Sequence, residues 1–283
     1  MWLTLALTSA LLLAVRRIFE KKLTGVFGNF SLSLVTLGFS LPFLAILYFF
    51  STSPVQITSL SARFWMPLIF IWIFLYPLQN YFLYRSLREG EFSEVTPVSA
   101  LLPAFNIVSS FIVIHELPTM WGALGIALTV LATWLLLSNA GSVRINMPVL
   151  FMTISVLCTA VGSTLDKVAI EVSDPVTYSF VNISGAILVF GILTFATRSQ
   201  GELRYVRAHI GTLCFMGALL AVGFVVFSSA FTLGPTSYTL ALRSGGLLLA
   251  ALWGIVFLHE SLSRKKLTAL VLFTFGTLFL AVG

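Results

Sequence analysis

Apolar residues run along this chain in unbroken stretches of about 20, separated by short gaps of charge, Gly, Pro or Ser. A helix rises about 1.5 Å per residue, so a run of that length crosses a hydrocarbon core roughly 30 Å thick. Reading the runs in order predicts ten helices, near 2–19, 30–50, 64–84, 94–115, 119–138, 147–165, 176–197, 209–231, 235–258 and 265–282. Strands of a membrane barrel would alternate apolar and polar residues, and these runs do not. The stretch from Asn139 to Asn146 (NAGSVRIN) is the natural joint, dividing the chain into units 1–141 and 142–283 of five helices each.

Composition agrees with that pattern. The chain of 283 residues is 58% hydrophobic and 9% charged, against roughly 25% charged in a soluble domain. So few charges cannot cover a soluble core, so the expected solvent is lipid. The net charge of +6 comes from residues in the gaps, not from one basic patch, which argues against a nucleic-acid partner. Met1 to Val15 lacks a basic leading region, and Arg16, Arg17, Lys21 and Lys22 follow the run, so the segment reads as a retained first helix. Cys158 and Cys214 fall within predicted helices and read as small apolar fillers.

The two sets repeat each other. Ser9–Ala14–Val15–Glu20–Lys21 returns 146 residues later as Ser155–Ala160–Val161–Asp166–Lys167, and His115–Glu116 returns 144 residues later as His259–Glu260. Five is odd, so the second copy must enter the membrane from the opposite side. Loop charge fits this: Arg16, Arg17, Lys21, Lys22, Arg85, Arg88, Arg144, Arg198, Arg204, Arg207, Arg264, Lys265 and Lys266 collect on one side, against Arg63 and Lys167 on the other. The fold expected is therefore all-α and integral to the membrane, with ten transmembrane helices in two inverted five-helix repeats. The basic side is expected to be cytoplasmic, with both termini outside a cytoplasmic (inner) membrane. Two similar halves of opposite orientation can exchange conformations and open a central site to each side in turn, which points to transport.

At the residue level, Leu102–Pro103–Ala104–Phe105 through His115–Glu116, then Gly122 or Gly125, resembles the EamA-like family of the drug/metabolite transporter superfamily. That family shows an apolar helix with an early Pro, a Glu thirteen residues later and then a Gly-bearing helix. The second half repeats the frame from Leu247 to Glu260 and then Gly276, with Leu247 at the Pro position. Ala230–Phe231–Thr232–Leu233–Gly234–Pro235 resembles the family's junction between helices eight and nine, and Asp166–Lys167 resembles the end of its helix six. His stands before both Glu residues, where the family usually has Gly. The resemblance implies ten helices in two inverted repeats around a central cavity. It also implies transport of amino acids, nucleoside- or sugar-like metabolites or drugs, without selecting one. The family is commonly drawn with both termini in the cytoplasm, opposite to the loop charge here.

Candidate binding residues follow from polarity inside the apolar runs. Arg243 lies eight residues past Pro235, well inside the ninth run, where a charge costs about 2.5–3.5 kcal/mol on insertion scales and usually faces a cavity. Its fork suits a substrate carboxylate or phosphate; the alternative is a structural Arg capped by carbonyls or reaching an acidic helix end. Every Asp and Glu reads as lying near a helix end, so no mid-helix carboxylate is expected as its partner. In the fourth run Thr96, Ser99, Pro103, Asn106 and Ser110 share one helical face, which is either a cavity wall or an interhelical seam. Gln79, Asn80 and Asn182 carry amides that rarely face lipid, and Tyr238 could offer a hydroxyl. Trp72 and Tyr76 read as packing, and Gly246, Ala250 and Gly254 as a small-residue seam.

The sequence shows no paired carboxylates, Ser–His couple or clustered metal ligands, so neither catalysis, a metal nor a cofactor is expected. The expected function is a secondary transporter moving an amino-acid-like or other anionic or zwitterionic solute by alternating access. Its partners are that small molecule and the lipid bilayer, with room for a homodimer. The rivals are a flippase for a lipid-linked intermediate, a membrane-embedded enzyme and a scaffold.

Overall fold

Helix starts are written in the local sequence. Asn146 accepts a hydrogen bond from the Val149 N–H at 3.0 Å and Asp174 accepts from Val176 and Thr177 at 2.9 Å, with Pro148 and Pro175 in the first turns, where a missing N–H costs nothing. A computed structural model of the chain describes residues 1–23, 26–51, 55–90, 95–137, 146–197, 199–244 and 264–283. All secondary structure among them is helical: α1 (Trp2–Leu23), α2 (Asn29–Phe49), α3 (Ala62–Phe70), α4 (Tyr76–Glu89), α5 (Leu102–Ile114), α6 (Met120–Leu137), α7 (Met147–Glu171), α8 (Pro175–Ala196), α9 (Ile210–Leu233), α10 (Thr236–Ser244) and α11 (Arg264–Val282). A π turn, Ile71–Leu75, joins α3 to α4. Each predicted run has a helix in its place, the third formed by α3 and α4 together and the ninth by α10 over its described part.

Among the described residues, five helical stretches are long and apolar enough to cross a membrane: Phe30–Phe49, Ala62–Leu83, Met147–Glu171, Pro175–Ala196 and Gly201–Leu233. Shorter apolar helices cover Trp2–Arg16, Val98–Ile114, Met120–Leu135 and Leu267–Val282. Large apolar side chains such as Ile46, Ile73, Ile112, Leu188, Ile192 and Phe275 stand outward and exposed, a surface that water would not tolerate and lipid does.

Two runs differ from their expected form. The fourth begins as a 3₁₀ turn, Thr96–Leu101, and becomes α-helical only at Leu102, so residues on either side of that change no longer keep one 3.6-residue register. The sixth does not stop at 165 but continues to Glu171, because Lys167 finds partners inside the protein in Glu116 and the Gly234 carbonyl.

The halves interleave. α1 packs on α9 and α10 of the second half, and its repeat counterpart α7 packs on α3, α4 and α5 of the first. α2 meets α8, α5 meets α10 and α6 meets α11, each pair being counterparts. Two crossings are close enough to demand glycine: a Cβ on Gly217 would lie 2.5 Å from the Phe39 backbone, and one on Gly125 would lie 2.9 Å from the Gly276 carbonyl oxygen. One relation is not matched. α2 lies along α9, whereas α8 touches α4 only sparingly, and the wedge left between them holds the cavity. The joint between the two units, and the stretch with Gly246, Leu247, Ala250, Gly254, His259 and Glu260, lie outside the described residues.

Candidate functional site

The wedge is a cavity of about 300 Å³. Its polar wall comes from Ser9 and Arg16 of α1, Ser33 and Thr36 of α2, Tyr76, Gln79 and Asn80 of α4, and Arg243 of α10. Most of these residues lie in the helix halves that adjoin the basic loops, and Arg243, near the start of the ninth run, lies at the far end. The Arg243 guanidinium carbon is 3.7 Å from the centre of the Phe227 ring, a cation–π contact that fixes its plane. Among the described residues, no carboxylate lines the cavity.

Behind the Tyr76 wall runs a chain of hydrogen bonds. Trp72 Nε1 donates to Asn182 Oδ1 at 2.9 Å and the Tyr76 hydroxyl donates to the same oxygen at 3.3 Å. Asn182 Nδ2 donates to the Tyr178 oxygen at 2.7 Å. Separately, the Asp166 Oδ1 atom of α7 is buried with no hydrogen-bond partner. Local sequence builds this chain. Pro77 has no N–H to give, the Tyr76 N–H reaches back to the Ile71 carbonyl in the π turn, and the widened turn points Trp72 and Tyr76 together at α8. Gly185 makes room, since a Cβ there would lie 2.3 Å from the Trp72 ring.

At the opposite end a latch ties the loop between α5 and α6 to the start of α10. The Glu116 carboxylate accepts from the Thr236 N–H and from the Thr236 hydroxyl, both at 3.0 Å. Lys167 Nζ lies 3.4 Å from Glu116 Oε2 and donates to the Gly234 carbonyl at 3.2 Å. Glu116 thus caps α10 from the loop between α5 and α6, where a carboxylate also meets the positive end of the helix dipole. His115 before it adopts the left-handed conformation, φ 55° and ψ 30°, which turns the chain so that Glu116 faces α10.

Of the residues singled out from sequence, the structure gathers Arg243, Gln79 and Asn80 at the cavity. Asn182 stands one layer behind it, completely buried. Asn106 is not on the cavity wall: it is completely buried and donates to the Ala160 carbonyl at 3.1 Å and the Thr164 hydroxyl at 3.0 Å, tying α5 to α7. Tyr238 is turned away as well, its hydroxyl accepting the Thr119 N–H at 2.9 Å. Ser99, in the 3₁₀ turn, is partly exposed and does not line the cavity, and the Thr96 side chain lies outside those described. Asp166, read from sequence as a helix end, lies within α7, which runs on to Glu171. Arg16, counted with the loop charges from sequence, lies inside α1 and belongs to the cavity wall. Tyr76, read from sequence as packing, lines the cavity too. Its signal was the alignment Trp72, Tyr76, Gln79, whose last member is plainly polar.

None of the curated proteins compared with the chain matches its sequence significantly. A solved crystal structure superposes with a TM-score of 0.80 at 13% identity, covering 99% of this chain and 96% of the other, which shows a shared fold alone. The model of the EamA-like transporter family matches twice, over residues 1–138 and 146–282. Members of that family are membrane transporters, not enzymes. With two matches that together cover nearly the whole chain, this multi-pass membrane protein belongs to the EamA-like transporter family.

Proposed function

We propose that the chain is a ten-span secondary transporter of the cytoplasmic membrane that carries a small solute bearing a carboxylate or phosphate by alternating access. The basic face is cytoplasmic, both termini are outside, and the halves are inverted repeats. In this state the cavity opens toward the basic face while the Glu116 latch shuts the other. The observation that carries the reading is the lining: among the described residues it offers two guanidinium groups, Arg16 and Arg243, with amides and hydroxyls and no carboxylate. An anion is the ligand such a wall favours. A volume of about 300 Å³ sits at the low end of small-molecule pockets, roughly 300–1,000 Å³, which suits a solute of amino-acid size.

Uptake by purified protein in liposomes, using L-alanine, L-serine, L-glutamate, pyruvate and inorganic phosphate separately, tests this. Arg243→Gln removes a charge-assisted contact of about 1.5–3 kcal/mol and should cut uptake efficiency at least tenfold. Arg243→Lys keeps the charge but loses the fork and should fall between Gln and the native protein. Unchanged kinetics in both variants, or no flux of any solute, would overturn the reading.

A further inference from the structure

A second cavity, of about 780 Å³, opens at the latch end and shares no lining residue with the central one. Its polar wall is Arg63 near the start of α3, His115 and Glu116 after α5, Lys167 and Glu171 at the end of α7, and Gly234 after α9. Arg63 and Lys167 are the two basic residues that the sequence assigns to this side of the membrane, and both line this one cavity. Neither is fully engaged. Lys167 Nζ reaches Glu116 Oε2 at 3.4 Å and the Gly234 carbonyl at 3.2 Å. Charge-assisted bonds usually close to roughly 2.7–2.9 Å, and an ammonium has a third hydrogen to give. Arg63 stands 3.7 Å from Glu171, beyond hydrogen-bond reach, with side chains 65% and 41% exposed, so water screens that pair. Lys167 and Glu171 are one turn apart on the same face of α7, which puts both cations on one stretch of wall.

We infer that this cavity is a docking site for a small monocarboxylate, and that a carboxylate bound between Arg63 and Lys167 draws the ammonium away from Glu116 and loosens the latch. The docking stands on the cavity itself; its part in transport rests on the reading above. The wall holds two cations and two anions, Arg63 and Lys167 against Glu116 and Glu171. One carboxylate can take both cations, its oxygens suiting the Arg63 fork. A second negative charge would meet the two glutamates, so the fit is to a monocarboxylate and not to a dianion.

Lys167 joins the cavity to the latch. When its ammonium turns to a docked carboxylate, Glu116 loses its cation and the Gly234 carbonyl its donor, which frees the junction between α9 and α10. Glu116 keeps both hydrogen bonds from Thr236, so docking loosens the latch without undoing it. A solute waiting at the shut face thereby raises the rate at which that face opens to it. Without solute the face stays shut.

Purified protein in phosphatidylcholine liposomes tests this, with Ser237→Cys as the one cysteine and Cys158 and Cys214 replaced by Ser. Ser237 is buried at 2% exposure beside the latched Thr236, so its reaction with a membrane-impermeant maleimide follows opening. Sodium pyruvate on the latch side should raise the rate up to roughly tenfold, the size of one charge-assisted contact. Sodium chloride at the same ionic strength should change it by less than about twofold. Lys167→Met should react from the start at the pyruvate-saturated rate and gain nothing from pyruvate, and Lys167→Arg, which restores a cation, should regain the response. Arg63→Gln should start at the native rate and need at least about threefold more pyruvate for half of the effect. Arg243→Gln, which takes the anchor from the central cavity, should respond as the native protein does. No acceleration, equal acceleration by chloride, or a response that survives in Lys167→Met or disappears in Arg243→Gln overturns the docking site, whether or not pyruvate is transported. If the response follows the expected pattern and no solute crosses, the docking site stands and the transport reading alone fails.

Discussion

On the alternating-access reading proposed above, the Glu116 latch sets how often the closed face opens, and its strength can be worked from its contacts. Glu116 accepts two hydrogen bonds from Thr236 at 3.0 Å and pairs with Lys167 at 3.4 Å. The two side chains are 14% and 19% exposed, so the pair is only lightly screened by water. A hydrogen bond to a charged group contributes about 1.5–3 kcal/mol. Removing the carboxylate deletes two, less what water restores once the face opens, so Glu116→Ala should weaken closure by about 2–4 kcal/mol. Since 1.4 kcal/mol is a factor of ten, the open population should rise roughly 30- to 1,000-fold. Glu116→Gln keeps the shape and an acceptor but not the charge facing Lys167, and should shift it roughly tenfold. Ser237, next to Thr236, is buried at 2% exposure. A cysteine placed there, with Cys158 and Cys214 replaced by Ser, should react slowly with a membrane-impermeant maleimide applied on the latch side. The rate should rise in the order native, Glu116→Gln, Glu116→Ala, and Lys167→Met should resemble Glu116→Gln. Rates within twofold of one another across the series would show that these contacts do not hold the face shut.

Two further outcomes follow. Asp174, at the start of α8, is partly buried, which works against its charge. Hydrogen bonds from Thr177, Val55 and Val176 outweigh this and hold its carboxyl below the usual range. Its stabilisation is therefore complete above the unfolded value, about 3.9, and is lost as pH falls through the lower folded value. Asp174→Ala should cost about 1–2 kcal/mol at pH 7, with the gap in thermal unfolding closing below about pH 4. Asn106→Ala should cost about 1–2 kcal/mol, from interhelical bonds worth about 0.6 kcal/mol each on average, while leaving the KM for uptake within twofold. A change in KM without loss of stability would restore Asn106 to the cavity.

The family's glycine before Glu becomes intelligible from the backbone. His115 occupies a left-handed position, at φ 55°, which glycine enters freely and other residues enter at a cost of roughly 1–2 kcal/mol. The motif is thus a turn that aims Glu116 at α10. The sequence showed the pair His115–Glu116 closing an apolar run and suggested a cap, but the capped helix belongs to the other repeat. No spacing rule reaches across 120 residues. The polar stripe of the fourth run failed for a related reason. Its regular spacing assumed one helix, and the 3₁₀ turn over Thr96–Leu101 breaks the register before Asn106 turns to α7.

The all-helical membrane character and the duplication were legible in the sequence because hydrophobic burial in lipid is a local sum. About 20 consecutive residues decide whether a run can cross, whatever lies beside it. Which polar groups face one another depends instead on which helices touch. Asp166 looked like a helix end until α7 proved longer than its apolar run. Only the packing of α1, α4, α8 and α10 brings Arg16, Tyr76, Asn182 and Arg243 together. Electrostatic and hydrogen-bond partnerships act over a few ångströms of space, and residues this far apart in the chain come that close only through the assembled bundle.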